Sequence, residues 1–156
     1  MVDNLRYKKE YYFNMYFKQA ELAKQTRELI EQLNLTKKEI VESETYIKAL
    51  GYDDMPHNPN TNPDQLLDRI IKKEERLESI DNRINKTLSK QEKDFIIFEK
   101  IDDMMKHLTE NQRQVFILTY REKMRIVEVA YTLGLTERAV KYIKQEIFLK
   151  ADFIQE

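Results

Sequence analysis

The sequence predicts an all-α fold: a long antiparallel helical hairpin of coiled-coil type, followed by a helix-turn-helix domain. Three observations carry that reading. The 156-residue chain holds only 2 glycines and 3 prolines while 35% of it is charged, which suits long helices better than sheets or disorder. Apolar residues recur at spacings of three, four and seven along both long segments. Helix start and stop signals then divide the last third into short helices.

Residues 1–50 contain no Gly or Pro. Leu22, Leu29, Leu33, Ile40, Ile47 and Leu50 fall close to heptad spacing, and Thr36 and Ser43 interrupt the same seam. Gly51 ends this element, and residues 51–62, with Pro56 and Pro59, read as a polar loop. Asn62 caps a new helix with Pro63 at its first position and Gln65 at its third. Leu66, Ile70, Leu77, Ile80, Ile84, Leu88, Phe95, Phe98, Ile101, Met105 and Leu108 then form one stripe. Unbroken, that helix would run about 65 Å at 1.5 Å per residue. Thr36-Lys37-Lys38-Glu39 and Ser89-Lys90-Gln91-Glu92 have the spacing of fresh capping boxes. Such quartets also occur inside continuous helices, and the reading keeps both helices whole. Residues 1–106 are thus an assembly or docking hairpin, with self-association into a homodimer as one expected use.

Residues 108–150 change character. Thr109 with Gln112 is a capping box, and Val115, Phe116, Leu118 and Tyr120 supply an apolar side. Arg121-Glu122-Lys123 ends that helix. Ile126, Val129, Ala130 and Leu133 restart the helical period, and Ala130 is small enough to let a crossing helix approach. Gly134 supplies the left-handed residue of a sharp helix end, Leu135 plugs the core beneath the turn, and Thr136 caps the next helix. Two helices joined in this way are a helix-turn-helix. Residues 151–156 read as a C-terminal tail.

The last helix has two faces. Val140, Ile143 and Ile147 lie on one side. Thr136 begins the helix on that same side, and Glu137, Arg138, Lys141, Tyr142, Lys144 and Gln145 line the outward side and its margins; these seven are the expected DNA-binding residues. Arg grips guanine edges, Gln adenine edges, and Lys and Tyr hold phosphates. Because the N-terminal residues of such a helix point at base edges, Glu137, Arg138 and Tyr142 are the expected sequence readers. Lys141, Lys144 and Gln145 are shared between bases and backbone. An ordinary solvated helix face is the competing interpretation. The overall charge is −1, yet residues 109–150 carry eight Lys/Arg against five Asp/Glu. That excess is small, so binding by one copy should be weak and salt-sensitive.

Leu108, Arg113, Val115, Phe116, Leu118, Tyr120, Ile126, Glu128, Val129, Ala130, Leu133, Gly134, Leu135, Thr136 and Val140 resemble the region-4 domain of bacterial sigma factors. Ala139 stands where many of those domains carry a small hydroxyl residue. The whole chain resembles phage and prophage late-transcription regulators of the RinA/ArpU type. Tyr52-Asp53-Asp54-Met55-Pro56-His57-Asn58-Pro59 and the segment Asp64 to Ile70 carry that second resemblance. It implies binding to double-stranded promoter DNA and activation of late packaging and capsid genes through host RNA polymerase. Two alternatives stand beside it: a small terminase-like packaging subunit, and a polymerase adaptor that does not touch DNA.

Other chemistry is weakly represented. There is no cysteine, so disulfides, thiolate nucleophiles and Cys-based zinc sites are excluded. The N-terminus lacks an apolar signal core, and the run Phe95-Ile96-Ile97-Phe98 is far too short to span a bilayer. A cytoplasmic protein with no membrane association is expected. His57 near Asp53 and Asp54 lacks the alternating pattern of a calcium loop, and Asp102 and Asp103 diverge by about 100° on a helix. No phosphate-cradling glycine loop or nucleophile elbow is present. The expectation is no enzyme activity, no metal and no cofactor. Six of the sixteen aromatics fall between Tyr7 and Phe17, interleaved with Arg6, Lys8, Lys9 and Lys18. Such a cluster stacks on single-stranded nucleic acid in some proteins. Packing against Phe148, Leu149, Phe153 and Ile154, or against a second subunit, is the preferred reading.

Overall fold

The computed structural model describes residues 2–49 and 63–155. Among them are six α-helices and no strand: α1 (Val2–Tyr16), α2 (Gln19–Ala49), α3 (Pro63–His107), α4 (Glu110–Phe116), α5 (Ile126–Leu133) and α6 (Glu137–Lys150). A π-helical turn, Ile117–Arg121, extends α4. The predicted Gly51 stop, the 52–62 loop, the Asn62 cap and the Asp53, Asp54 and His57 group lie outside the described residues. Helix α2 passes through 34–39 and α3 through 89–92 without a break.

The first fifty residues are nevertheless not one helix. The chain turns at Phe17 and Lys18, where the Lys18 N–H donates to the Met15 carbonyl at 2.9 Å and the Leu22 N–H to the Lys18 carbonyl at 2.9 Å. Adjacent residues of a continuous helix point about 100° apart. Here both Tyr16 and Phe17 reach the Phe116 ring, with centroids at 6.3 and 5.6 Å. The turn is what lets both rings converge.

The chain packs as two compact units, Met1–Leu22 with Glu92–Glu156, and Ala23–Gln91. This division differs from the 1–106 and 108–150 boundaries read from the sequence. In the first unit the end of α3 supplies Phe98, Ile101, Met104 and Leu108 to the same core as Val115, Phe116, Val129, Val140 and Ile147. The expected tail belongs there too, since Ala151 and Ile154 are fully buried. In the second unit Leu33 and Ile80 are buried, and Lys37 Nζ meets Asp81 Oδ1 at 2.6 Å. Leu29, Ile70 and Leu88 of the predicted seam are exposed, so the heptad stripe is only partly closed.

Phe13 locks α1 into the first unit. Its ring is fully buried, with centroids 5.1 Å from Phe116, 5.2 Å from Tyr120 and 5.6 Å from Phe148. Around it, Tyr12 Oη donates to Asp94 Oδ1 at 3.1 Å, and the Tyr16 hydroxyl donates to Asp102. Burial first, and then the Asp94 charge, push the Tyr12 phenol up to about 12. Lys9 Nζ donates to the Phe148 carbonyl at 2.7 Å, and Lys8 reaches the Gln155 carbonyl. Tyr12, Phe13, Tyr16 and Phe17 are therefore packing surface, in one core with Phe148, Phe153 and Ile154 as expected, while Tyr7 and Tyr11 are exposed. Leu149 departs from that expectation and is 78% exposed.

The helix ends follow their capping chemistry. Thr109 and Gln112 form the reciprocal box: the Gln112 N–H donates to Thr109 Oγ1 at 3.3 Å and the Thr109 N–H to Gln112 Oε1 at 3.1 Å. Arg113 satisfies the last carbonyls of α3, donating to Met105 O at 3.2 Å and Leu108 O at 3.5 Å. At α5 an arginine side chain has no acceptor to offer, so only half a box forms. The Glu128 carboxylate accepts the Arg125 backbone N–H at 2.8 Å and its guanidinium at 3.3 Å. These bonds, the backbone one first, hold the Glu128 carboxyl below its usual range. Gly134 ends α5 at φ 65°, ψ 30°. The Leu135 N–H then bonds to Ala130 O at 2.9 Å and the Gly134 N–H to Tyr131 O at 3.3 Å, a Schellman closure.

Phe13→Ala is expected to destabilise the first unit by about 3–5 kcal/mol, measured by urea denaturation followed through the tyrosine signal. Gly134→Ala should cost about 1 kcal/mol from backbone strain alone, because nothing lies within 4 Å of an added Cβ; its thermal midpoint checks this. Glu128 is held ionised in the folded state, so its contribution is present above the ordinary value of 4.5 and lost as pH falls through the lower folded value. The gap in thermal midpoint between the protein and Glu128→Gln should be steady near neutrality and close below pH 4.5.

Candidate nucleic-acid interface

Helix α6 is set in rotation by what it buries. Val140 and Ile147 are fully buried and Ile143 is half-buried. Its start is fixed by Thr136, at φ −80° and ψ 154°, whose hydroxyl oxygen accepts the Ala139 N–H at 3.1 Å. Its far end is tied to α4 through the buried Gln112. Gln112 Nε2 donates to Glu146 Oε2 at 3.0 Å, and Lys150 Nζ donates to Gln112 Oε1 at 2.8 Å. With both ends held, the opposite face must point outward.

That face presents Glu137, Arg138, Lys141, Tyr142 and Gln145, all exposed, with Tyr142 63% exposed. Thr136 is exposed at the head of the helix, though its oxygen already serves as the cap. The five helical side chains share one surface, as the spacing predicts, and Thr136 starts the helix on the side of Val140 and Ile147. Long donors and acceptors thus project from a helix about as wide as the major groove of DNA.

Lys144 is the exception. It is half-buried, and its Nζ sits 5.8 Å from the Tyr120 ring centroid. Burial lowers its ammonium pKa, the Glu10 carboxylate opposes that shift and Arg6 adds to it. The side chain therefore faces α1 and the π-helical turn rather than the open face. The reason lies in helix geometry: position 144 falls between the buried stripe and Lys141, and α1 covers that flank. Tyr120, beneath it, has a phenol pushed well above the usual range, chiefly by burial.

Sequence reasoning did not place Arg6 and Lys9 beside this helix. They line a cleft of about 600 Å³ together with Lys141, Lys144 and Gln145. The signal for them was indirect, since α1 had first to be docked through its aromatics. Arg121 and Arg125, exposed in the segment between the π-helical turn and α5, were likewise not singled out. Lys123, between them, adopts φ 57°. Among the described residues no group of three or more His, Asp or Glu side chains is placed to hold a metal ion. No described helix is long and apolar enough to cross a membrane.

Residues 98–146 match the family model described as Sigma-70, region 4. Comparison with curated proteins and with solved structures finds no match. The matched segment starts ten residues before the predicted boundary, at Phe98, where α3 enters the shared core. It takes in the end of α3, α4, the π-helical turn, α5 and most of α6. The C-terminal part of this all-α chain is a helix-turn-helix domain of the sigma-70 region 4 kind.

Proposed function

We propose that this protein is a sequence-specific transcription regulator that binds double-stranded promoter DNA through α6 and acts with bacterial RNA polymerase. The observation that carries the reading is the outward face of α6. Arg138, Lys141, Tyr142 and Gln145 stand exposed on a helix locked from behind, within the segment that matches sigma-70 region 4. Arg138, near the helix start, takes base edges, and Tyr142 and Gln145 extend the reading surface one and two turns on. Lys141 holds phosphate. Lys144 serves chiefly to fill the space over Tyr120.

The resemblance to the RinA/ArpU group supports a narrower role, activation of phage late genes in the host cytoplasm. The incompletely closed stripe at Leu29, Ile70 and Leu88 supports self-association of the long helices. A homodimer would offset the weak charge excess of one domain by doubling its phosphate contacts. No catalytic step is assigned to the chain.

The test is selection of duplexes from a randomised pool, followed by affinity and light-scattering measurements. One enriched motif, bound by a monomer or dimer, is the expected result. Arg138→Ala with Lys141→Ala should weaken binding to that motif by about 10-fold or more, since each specific contact is worth about 1–3 kcal/mol. A large ring of subunits sinks the regulator reading in favour of DNA packaging. Unchanged DNA binding by the double variant sinks the assignment of α6.

A further inference from the structure

The cleft between α1 and α6 has the wrong lining for an ordinary packing seam. Arg6 and Lys9, one helical turn apart on α1, face Lys141 and Lys144 across about 600 Å³ of open space. Four cations converge there. Lys9 is held in place by its bond to the Phe148 carbonyl. Leu5, Ile126, Phe148 and Leu149 supply its apolar lining. Lys141 and Gln145 belong both to this cleft and to the outward face of α6, so whatever lies on that face continues into the cleft.

We infer that α1 is a second DNA-contacting element, and that the cleft seats the sugar-phosphate strand flanking the groove entered by α6. This inference rests on the DNA-binding reading of α6 and assigns that site a further segment of the same ligand. Charge and shape argue for a phosphodiester strand. Its phosphates meet Arg6, Lys9 and Lys141, and its deoxyribose faces cover Phe148 and Leu149. Lys144 adds its charge from the buried side of the cleft, where burial lowers its ammonium pKa and Glu10 already opposes part of that shift. An acidic protein segment would satisfy the charges equally. Continuity with the reading face of α6 favours the nucleic acid.

The experiment compares the full chain with Arg6→Gln and Arg138→Ala. Each is titrated over a range of salt with a duplex selected by the unaltered protein and with an unrelated duplex. Arg6 is exposed, and a thermal melt of Arg6→Gln confirms that the fold is kept. Arg6→Gln should weaken binding to both duplexes by a similar factor, about 3- to 10-fold. It should also flatten the slope of log affinity against log salt by about 0.9 for one lost phosphate contact. The ratio between the two duplexes should stay unchanged. Arg138→Ala should instead shrink that ratio. If the unaltered protein binds duplex and Arg6→Gln matches it in affinity and slope, the cleft proposal is overturned while α6 stands, and an acidic protein partner becomes the occupant to seek. If the unaltered protein binds neither duplex, both readings fall.

Discussion

Everything in the first unit depends on one buried ring. Phe13 is the only fully buried side chain among the described residues of α1, yet it meets α4, the π-helical turn and α6 at once through Phe116, Tyr120 and Phe148. Burying a phenylalanine is worth about 1.5–3 kcal/mol, and well-oriented aromatic pairs add about 0.5–1.5 kcal/mol each. Neither α4, with 7 residues, nor α5, with 8, could hold its shape alone. They persist because their apolar sides share a core that α1 closes from a distant part of the sequence.

The residues that mark the fold and the residues exposed along α6 are largely different sets. Val115, Phe116, Val129, Ala130 and Val140 are buried, Arg113 closes α3, Glu128 opens α5, and Gly134 and Thr136 make the turn. Each carries the resemblance to sigma region 4, and each is occupied with scaffolding. Arg138, Lys141, Tyr142 and Gln145 play no such part. A substitution on that exposed face usually costs little stability, so the face can vary while the scaffold stays recognisable.

What was legible in the sequence follows the same logic. Capping chemistry is local, so Thr109 with Gln112, the Gly134 stop and the Thr136 cap were readable from a few neighbouring residues. The outward face of α6 was readable from helical periodicity alone. The turn at Phe17 and Lys18 was not, because no Gly or Pro marks it. Convergence of Tyr16 and Phe17 on Phe116, a hundred residues away, makes the turn. The surroundings of Lys144 were hidden for a related reason: periodicity locates it at a margin, and only the docking of α1 decides which side of the margin it takes. The unit boundary shifted because α3 runs from one unit into the other without a break, and an unbroken stripe gives no sign of changing partners.

The π-helical turn shows how the long-range contact governs the local backbone. After Phe116 the ladder widens, with the Glu122 N–H bonding to Ile117 O at 3.1 Å and the Met124 N–H to Leu118 O at 3.0 Å. The chain then escapes through Lys123 at φ 57°, a conformation costing a non-glycine residue about 1–2 kcal/mol. Nothing local requires this, since Ile117 to Arg121 contains no helix breaker. The wider turn leaves both Phe116 and Tyr120 against Phe13, and gives Lys144 a ring to lie over. Strain at Lys123 is thus offset by aromatic packing on the far side of the turn. The helix-turn-helix begins where it does because α1 is docked behind it.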